Sequence, residues 1–363
     1  MEVSPWGSDE VKDYSHVFRE FGLSKMDKKL FLGHFFFERE IIIAHRDFDR
    51  IADAAKKKKP FINITGIACS GKLHFGHKAD LDLFLFFKQL GARNYFTVAD
   101  LDGFLSRPDA QVASLEAAKK IAVENLSHAL ALGVEEKDVY LQTNGSRKNP
   151  SRYHSFAFEL SKKITANTFE AAYGHVDLGK VASNFLQYAD ILHAQLNEFE
   201  GPMPSITGIG LDQDPHARIS RDIAKRLPYG LFVPSFVFFK HLRGLREGQK
   251  MSSSRPEATL FLDDSPKEAE NKISRAFTGG RETIEAHRKL GGIPEICRVY
   301  ELLQFNLSDS IKLKSIYDDY KSGKMLSKEI KQIAIDFIIP WLEKHQEKAE
   351  AKKELAQSIV FGK

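Results

Sequence analysis

The chain has 363 residues, of which 42% are hydrophobic and 28% are charged, and its formal net charge is +4. This length predicts two or three domains with a large core, and the mild positive charge permits a polyanionic partner without requiring one. The two cysteines, Cys69 and Cys297, lie far apart and in no CxxC spacing, which argues against a disulfide framework or a structural zinc site. The sequence starts without a secretion signal and has no apolar run of membrane-span length, so we expect a soluble, cytoplasmic protein.

The first 59 residues mix short helical patterns with a Phe-rich run and end in four lysines, Lys56–Lys59, before Pro60. A charge run of this kind is typical of a solvated boundary, so we predict an N-terminal extension over residues 1–59.

Strands and helices alternate from Phe61 onward. Apolar runs predict strands in FINITGI, YFTVAD, DVYLQTNG, ITGIGLDQD and YGLFVPSFVFF, and 3.6-residue periodicity predicts helices that end at Gly91 and Gly133. Such alternation predicts an α/β fold, a Rossmann-type parallel sheet over residues 60–264 with a helical insertion at about 105–200. Residues 265–363 show helical patterns almost throughout, which predicts an all-helical C-terminal domain.

The segment GIACSGKLHFGH, Gly66–His77, follows the first strand of this unit and opens a helix. It matches a P-loop except that Leu73 stands where a P-loop has the Mg²⁺-binding hydroxyl. A helix N-terminus offers unpaired N–H groups to a phosphate, and His74 and His77 lie on one helical turn with Gly76 between them. The segment therefore predicts a nucleotide site, with the kind of nucleotide-binding loop left open at this point.

A second segment, GQKMSSSRP, carries one lysine and three hydroxyls at residues 248–256. Lys250 supplies a point charge suited to a triphosphate, and the serine hydroxyls can donate to phosphate oxygens.

Together, HFGH and KMSSS resemble the HIGH and KMSKS signatures of class I aminoacyl-tRNA synthetases. The segments GLDQDPHARISRDIA, AFTGGRETIEAHRKLGG and, near the N-terminus, SPWGSDEVKDYSHVFREFG resemble the archaeal and eukaryotic tryptophanyl-tRNA synthetases, so that the resemblance extends over nearly the whole chain. It implies ATP with Mg²⁺, a homodimer, an anticodon-binding domain over residues 265–363, and charging of tRNA(Trp) with L-tryptophan through an adenylate. Some members carry a zinc-binding CxxC element, which this sequence lacks, so no metal ligands are expected from the protein.

The resemblance also implies roles for residues in both signatures and in the GxDQ loop. The residues expected to act on the phosphates are His74, His77, Lys250, Ser252, Ser253 and Ser254. Those expected to bind the rest of ATP are Gly66, Gly76, Gly210, Asp212, Gln213 and Met251.

The amino-acid pocket departs from the eukaryotic pattern. Ile64 stands where those enzymes have tyrosine, Thr97 where they have glutamine, and Asp102 where they have glutamate. The segment FLQYADIL resembles a helix of the bacterial tryptophan enzymes whose aspartate accepts the indole N–H. We therefore expect Asp190 to accept the indole N–H, with Gln187 and Asp102 also in the substrate pocket.

Three alternatives stay open from the sequence. A tyrosyl-tRNA synthetase shares several motifs, but Ile64 leaves a phenol hydroxyl half satisfied, which favours tryptophan. A P-loop NTPase would need a hydroxyl at position 73. A paralogue that binds tRNA or the amino acid without catalysis would not need the intact HFGH and KMSSS segments.

Overall fold

The computed structural model describes residues 21–145, 148–248 and 251–362. Lys250 and most of the N-terminal segment that carries part of the resemblance lie outside these described residues.

A seven-stranded sheet forms the centre of the protein, in the strand order β1-β2-β7-β6-β3-β4-β5. Strands β3 to β7 are parallel, whereas β2 runs antiparallel to β7 and β1 antiparallel to β2. The strands are β1 (Ser24–Lys25), β2 (Ile42–Arg46), β3 (Ile62–Ala68), β4 (Arg93–Ala99), β5 (Val139–Leu141), β6 (Ser205–Gly210) and β7 (Ser235–Phe239). The predicted Rossmann-type sheet is confirmed, and strand order reverses between β3 and β6, where open parallel sheets bind ligands.

Helices connect and cover the strands. Those up to β7 are α1 (Phe35–Glu38), α2 (Phe48–Lys56), α3 (Phe75–Gln89), α4 (Asp100–Leu105), α5 (Leu115–Leu132), α6 (Pro150–Leu160), α7 (Ala166–Tyr173), α8 (Leu178–Leu192) and α9 (Asp214–Arg226). After β7 follow α10 (Pro266–Ser274), α11 (Ile284–Leu290), α12 (Arg298–Asn306), α13 (Ser310–Lys321), α14 (Ser327–Glu350) and α15 (Lys353–Phe361).

Successive residues of the strands belong alternately to two separate apolar cores. Phe96 and Val98 of β4 belong to one core, which also holds α3, α5 and the C-terminal helices, while Tyr95 belongs to the other, with α6, α8 and α9. Because successive strand residues point to opposite faces, the two cores lie on the two faces of the sheet. Helices therefore cover both faces, as the alternating pattern predicts.

The segment before residue 60 contributes β1 and β2 to this sheet, and Ile42 and Ala44 of β2 are buried. The C-terminal residues that the structure describes form a series of helices that ends at Phe361, as the sequence predicts. The domain boundaries at residues 59 and 264 stay predictions.

Helix α14 crosses from the C-terminal helices to the rest of the protein. Its Trp341 ring lies 5.3 Å from Phe75 on α3, and Nε2 of its His345 lies 2.9 Å from Nδ1 of His128 on α5. These contacts join the C-terminal helices to the start of the HFGH helix. No helix in the described ranges combines the length and apolar character that are needed to cross a bilayer.

Candidate active site

A cleft of about 1250 Å³ opens at the carboxyl ends of the parallel strands. All the site residues predicted from the sequence that fall within the described ranges line it. They are Ile64, Gly66, His74, Gly76, His77, Asp102, Gln187, Asp190, Gly210, Asp212, Gln213, Met251, Ser252, Ser253 and Ser254. Lys250 lies outside the described residues.

The two histidines of HFGH form the cap of α3. Nδ1 of His74 accepts the N–H of Gly76 at 3.1 Å, and Nδ1 of His77 accepts the N–H of His74 at 3.2 Å. Because both Nδ1 atoms act as acceptors, each neutral ring carries its proton on Nε2. Burial lowers the pKa of His77 to about 4, so this ring is uncharged at neutral pH. His77 can therefore offer an anion a neutral N–H donor and not a full positive charge.

The serine segment lies against the HFGH loop. Ser253 Oγ donates to the carbonyl of Lys72 at 3.2 Å, and a Cβ on Gly71 would approach Ser253 to 3.0 Å. Thr259 holds the segment from the other side, because its Oγ1 donates to the carbonyl of Ser252 at 2.8 Å and accepts the N–H of Ser252. The two signature segments thus meet at one wall of the cleft.

Residues 260–262, just after the serine segment, form backbone hydrogen bonds with the HFGH loop. The N–H of Phe75 donates to the carbonyl of Leu260, and the N–H of Leu262 donates to the carbonyl of Leu73. Leu73 is itself buried, and the Lys72 side chain pairs with Asp263 at 2.7 Å. A P-loop needs a hydroxyl for Mg²⁺ at position 73, and the buried Leu73 side chain has none, which disfavours the P-loop alternative.

The GxDQ loop follows β6 at the same edge. Nε2 of His241 lies 2.9 Å from Oδ1 of Asp212, and a Cβ on Gly210 would overlap the His241 ring. Glycine at position 210 therefore makes room for this contact. Asp212 is mostly buried, and a carboxylate here is able to accept the hydroxyls of a ribose.

Asp190 lies on α8 and is 7% exposed. Its Oδ1 accepts the hydroxyls of Tyr140 and Tyr153, each at 2.7 Å, and its Oδ2 accepts the side-chain amide of Gln142 at 2.8 Å. The Tyr140 hydroxyl in turn accepts the hydroxyl of Thr97 at 2.6 Å. A polar network thus surrounds one carboxylate at the end of the cleft.

Burial raises the pKa of Asp190 to about 7, although its three hydrogen bonds oppose that rise. Burial and the nearby Asp190 charge raise the pKa of Tyr140 and of Tyr153 well above their usual range, so both tyrosines stay protonated donors. The carboxylate is therefore ionised mainly above pH 7 and keeps two permanent donors on one oxygen.

Asp102 and Gln187 lie nearby. Burial raises the pKa of Asp102, against hydrogen bonds from Ser183 and Ser106 and the charge of Arg107. Gln187, one helical turn before Asp190, is half-buried. Asp102 and Asp190 therefore place two carboxylates close together at this end of the cleft.

Four polar residues of this site lie outside the predicted motifs: Tyr140, Gln142, Tyr153 and His241. Tyr140 and Gln142 are two residues apart at the end of a predicted strand, so they share one face at the edge where ligands bind. This spacing is a pattern that could have been recognised in the sequence. Tyr153 and His241 belong to no such pattern, because only the packing of α6 and of the loop after β7 brings them to the site. Within the described ranges, no group of three or more histidine, cysteine, aspartate or glutamate side chains could hold a metal ion.

Comparison with known proteins gives a consistent result. The family of class I tRNA synthetases for tryptophan and tyrosine matches residues 56–343. The tryptophan–tRNA ligase of Aeropyrum pernix is 39% identical over 371 residues, 99% of this chain and 97% of that protein, and that of Methanocaldococcus jannaschii is 39% identical over 376 residues, 100% of this chain and 99% of that protein.

Solved structures agree with the sequence relatives. The crystal structure of tryptophanyl-tRNA synthetase from Aeropyrum pernix superposes with a TM-score of 0.87 at 37% identity, covering 97% of this chain and 96% of that one. The enzyme from Plasmodium falciparum gives a TM-score of 0.84 at 28% identity, covering 96% of this chain and 95% of that one.

Proposed function

The chain belongs to the class I tRNA synthetases of the tryptophan and tyrosine family, and from this we propose that it ligates L-tryptophan to tRNA(Trp) through a tryptophanyl-adenylate. Tryptophan–tRNA ligase is also the activity of relatives that match over their whole length. The observation that carries the proposal is the single cleft in which both signature segments meet beside the Asp190 pocket.

In the first step, the tryptophan carboxylate attacks the α-phosphate of ATP and pyrophosphate leaves. The protein contributes position and charge neutralisation at the transferring phosphoryl group. His77 offers a neutral N–H donor from one side, and the serine hydroxyls of residues 252–254 act from the other. Lys250, in the same segment, is proposed to neutralise the phosphates.

Substrate selection rests on the polar network around Asp190. The hydroxyls of Tyr140 and Tyr153 and one N–H of the Gln142 amide donate to this carboxylate, and the Ile64 side chain in the cleft wall has no polar atom. An indole N–H needs one acceptor, whereas a phenol hydroxyl also needs a donor. This arrangement supports tryptophan over tyrosine.

ATP is proposed to enter as its Mg²⁺ complex. Mg²⁺ is commonly held through substrate phosphates together with a few protein groups and waters. The ion is therefore treated as part of the substrate.

In the second step, the terminal ribose of tRNA(Trp) accepts the aminoacyl group. We assign anticodon binding to residues 265–363, an assignment supported by the helices α10 to α15 and by the family relationship. The contacts of α14 with α3 and α5 give that region a physical connection to the active site.

A cytoplasmic homodimer is also part of the proposal. Phe158 on α6 is 79% exposed and Leu178 on α8 is 84% exposed, and large apolar side chains in water often mark an interface. Light scattering should give twice the chain mass of 41.1 kDa, and Phe158→Glu should shift the protein toward monomer. A wild-type monomer at micromolar concentration would contradict the dimer.

The decisive experiment is amino-acid-dependent exchange of labelled pyrophosphate into ATP. Exchange with tryptophan and not tyrosine is expected. Exchange with tyrosine alone would support a tyrosyl enzyme, ATP hydrolysis without exchange would support an NTPase, and binding without either reaction would support a non-catalytic paralogue.

Replacement of Asp190 by alanine tests the indole acceptor. We expect kcat/KM for tryptophan to fall about 100-fold or more, because a hydrogen bond to a charged group is lost in a buried pocket, while the KM for ATP changes little. Normal tryptophan activation by Asp190→Ala would show that the acceptor lies elsewhere.

Replacement of Lys250 by alanine tests the phosphate assignment. The rate of tryptophan-dependent exchange should fall by about 100-fold or more, whereas tryptophan binding should be nearly unchanged, because the lost charge acts on ATP. An unaltered exchange rate would refute the role.

A further inference from the structure

Gln142 follows β5 at the carboxyl edge of the sheet and is 1% exposed. Both ends of its amide are used. Nε2 donates to Oδ2 of Asp190 at 2.8 Å, and Oε1 accepts the backbone N–H of Asp102, also at 2.8 Å. One neutral side chain therefore bridges the two acidic residues of the substrate pocket.

The acceptor positions of Asp190 show what this bridge leaves available. A carboxylate oxygen has two lone pairs, and on Oδ1 both are taken by tyrosine hydroxyls. On Oδ2, Gln142 is the donor found among the described residues. One acceptor position on Oδ2 is therefore left, and its direction follows from the plane of the carboxylate, which the bond from Gln142 helps to orient.

We propose that Gln142 is a positioning residue for tryptophan: it orients Oδ2 of Asp190 toward the indole N–H and fixes the separation between Asp190 and the backbone of Asp102. This inference rests on the proposed function and deepens it, because it names the residue that holds the indole acceptor in place.

The chemistry of position 142 favours a neutral amide. Glutamate would place a third negative charge beside Asp190 and Asp102. Leucine of similar size would remove the donor from Oδ2 and the acceptor from the Asp102 N–H. Asparagine is one methylene shorter, so it is expected to keep one of the two contacts and lose the other.

The pH dependence separates a positioning role from a merely structural one. The hydrogen bond from Gln142 is one of the interactions that oppose the burial-driven rise in the pKa of Asp190, which is about 7. Loss of that bond raises the pKa further, so the carboxylate protonates at higher pH and the acid limb of kcat/KM for tryptophan moves upward. The titratable groups that face Asp190 are Tyr140, Tyr153 and Asp102, and Nε2 of His154 lies 2.8 Å from the backbone carbonyl of Gln142. The His193 ring packs edge-on against both tyrosines.

The test compares Gln142→Leu with Gln195→Leu. Gln195 is equally buried and also bridges two elements, since its amide donates to Ser205 Oγ and to the carbonyl of Phe232. It does not line the cleft. Tryptophan-dependent pyrophosphate exchange is measured from pH 5.5 to 9, the KM for ATP is measured in parallel, and tryptophan binding is followed by calorimetry.

For Gln142→Leu we expect a KM for tryptophan at pH 8 raised about tenfold or more, an unchanged KM for ATP, and an acid limb shifted upward by at least about half a pH unit. Gln142→Asn should fall between this variant and the wild type. Gln195→Leu should lower thermal stability and leave the pH profile in place.

A Gln142→Leu enzyme with the wild-type KM for tryptophan and the wild-type acid limb would overturn the inference, as would an equal shift in both leucine variants. If the wild type binds tryptophan but does not exchange pyrophosphate, the ligase proposal is wrong, whereas the positioning role of Gln142 is still open to test. Calorimetry then still decides the positioning role, because weakened binding in Gln142→Leu alone supports it and equal binding in both variants refutes it.

Discussion

At the scale of single residues, the start of the HFGH helix depends on the absence of a side chain. The His74 ring accepts the N–H of Gly76, and a Cβ on residue 76 would lie 2.8 Å from Cε1 and 2.9 Å from Nδ1 of that ring. Real Cβ atoms do not approach a ring so closely, and the ring would have to move. Glycine at position 76 therefore allows the His74 ring to keep this orientation, and it adds no side chain to the cleft.

We expect Gly76→Ala to lower the rate of tryptophanyl-adenylate formation by about 10- to 100-fold, because a displacement of about 1 Å at a reacting group can cost this much. The free energy of unfolding should change by about 1 kcal/mol, the value of one helix cap. Single-turnover kinetics and thermal unfolding measure the two effects. An unaffected rate would show that the orientation of His74 is not needed.

The residue-level predictions depended on short motifs, and every predicted site residue in the described ranges lies in the cleft. Their roles stay proposals. The spacing of Tyr140 and Gln142 places both at the edge of the sheet where ligands bind, but their bonds to Asp190, and that of Tyr153, could not be predicted in the same way, because α8 is a separate element. Hydrogen bonds between distant elements leave no local pattern.

At the scale of elements, the N-terminal segment is joined to the nucleotide side of the sheet. Arg46 at the end of β2 forms a bidentate pair with Asp214 at the start of α9, with distances of 2.9 Å from Nε to Oδ1 and 3.0 Å from Nη2 to Oδ2. Asp214 is fully buried, and Arg218 also approaches it, at 3.2 Å. Because α9 follows the GxDQ loop directly, this pair holds the loop in place.

Arg46→Met is expected to reduce the free energy of unfolding by about 3 kcal/mol, since it removes a partner from a buried carboxylate. The KM for ATP should rise several-fold, because Asp212 and Gln213 immediately precede Asp214. Chemical denaturation and exchange kinetics provide the measurements. The matched control is Lys57→Met, which breaks an exposed pair with Asp53 and should change neither quantity appreciably. Equal effects of the two substitutions would contradict the prediction.

At the scale of the whole molecule, α14 connects the C-terminal helices to both signature segments. The Gln346 amide donates to the carbonyls of Leu262 and Asp264, at 3.0 and 2.8 Å. The N–H of Leu262 donates in turn to the carbonyl of Leu73 in the HFGH loop. Leu262 itself follows the serines of residues 252–254 by only a few residues. A movement of α14 would therefore displace the segment at Leu262 and, through it, the HFGH loop.

Gln346→Leu removes two hydrogen bonds to backbone carbonyls and should destabilise the protein by about 1–3 kcal/mol. It should also slow adenylate formation several-fold, because the segment next to the serines loses a support. Gln332→Leu on the same helix is the control, since Gln332 is exposed and bonds only locally, to Asp336 at 2.8 Å. Thermal unfolding and single-turnover rates that are identical for the two variants would refute the connection.

The class of fold, the family and a set of residues that line one cleft could be predicted from the sequence alone, because strand and helix periodicity and the HFGH and KMSSS segments are local patterns in consecutive residues. Three features could be seen only in the folded protein: β2 joins the central sheet, α14 supports the segment after the serines, and Asp190 keeps one acceptor position after binding three donors. Those features arise from contacts between residues 37 to 217 positions apart, and burial and hydrogen-bond geometry at such distances depend on how the elements pack.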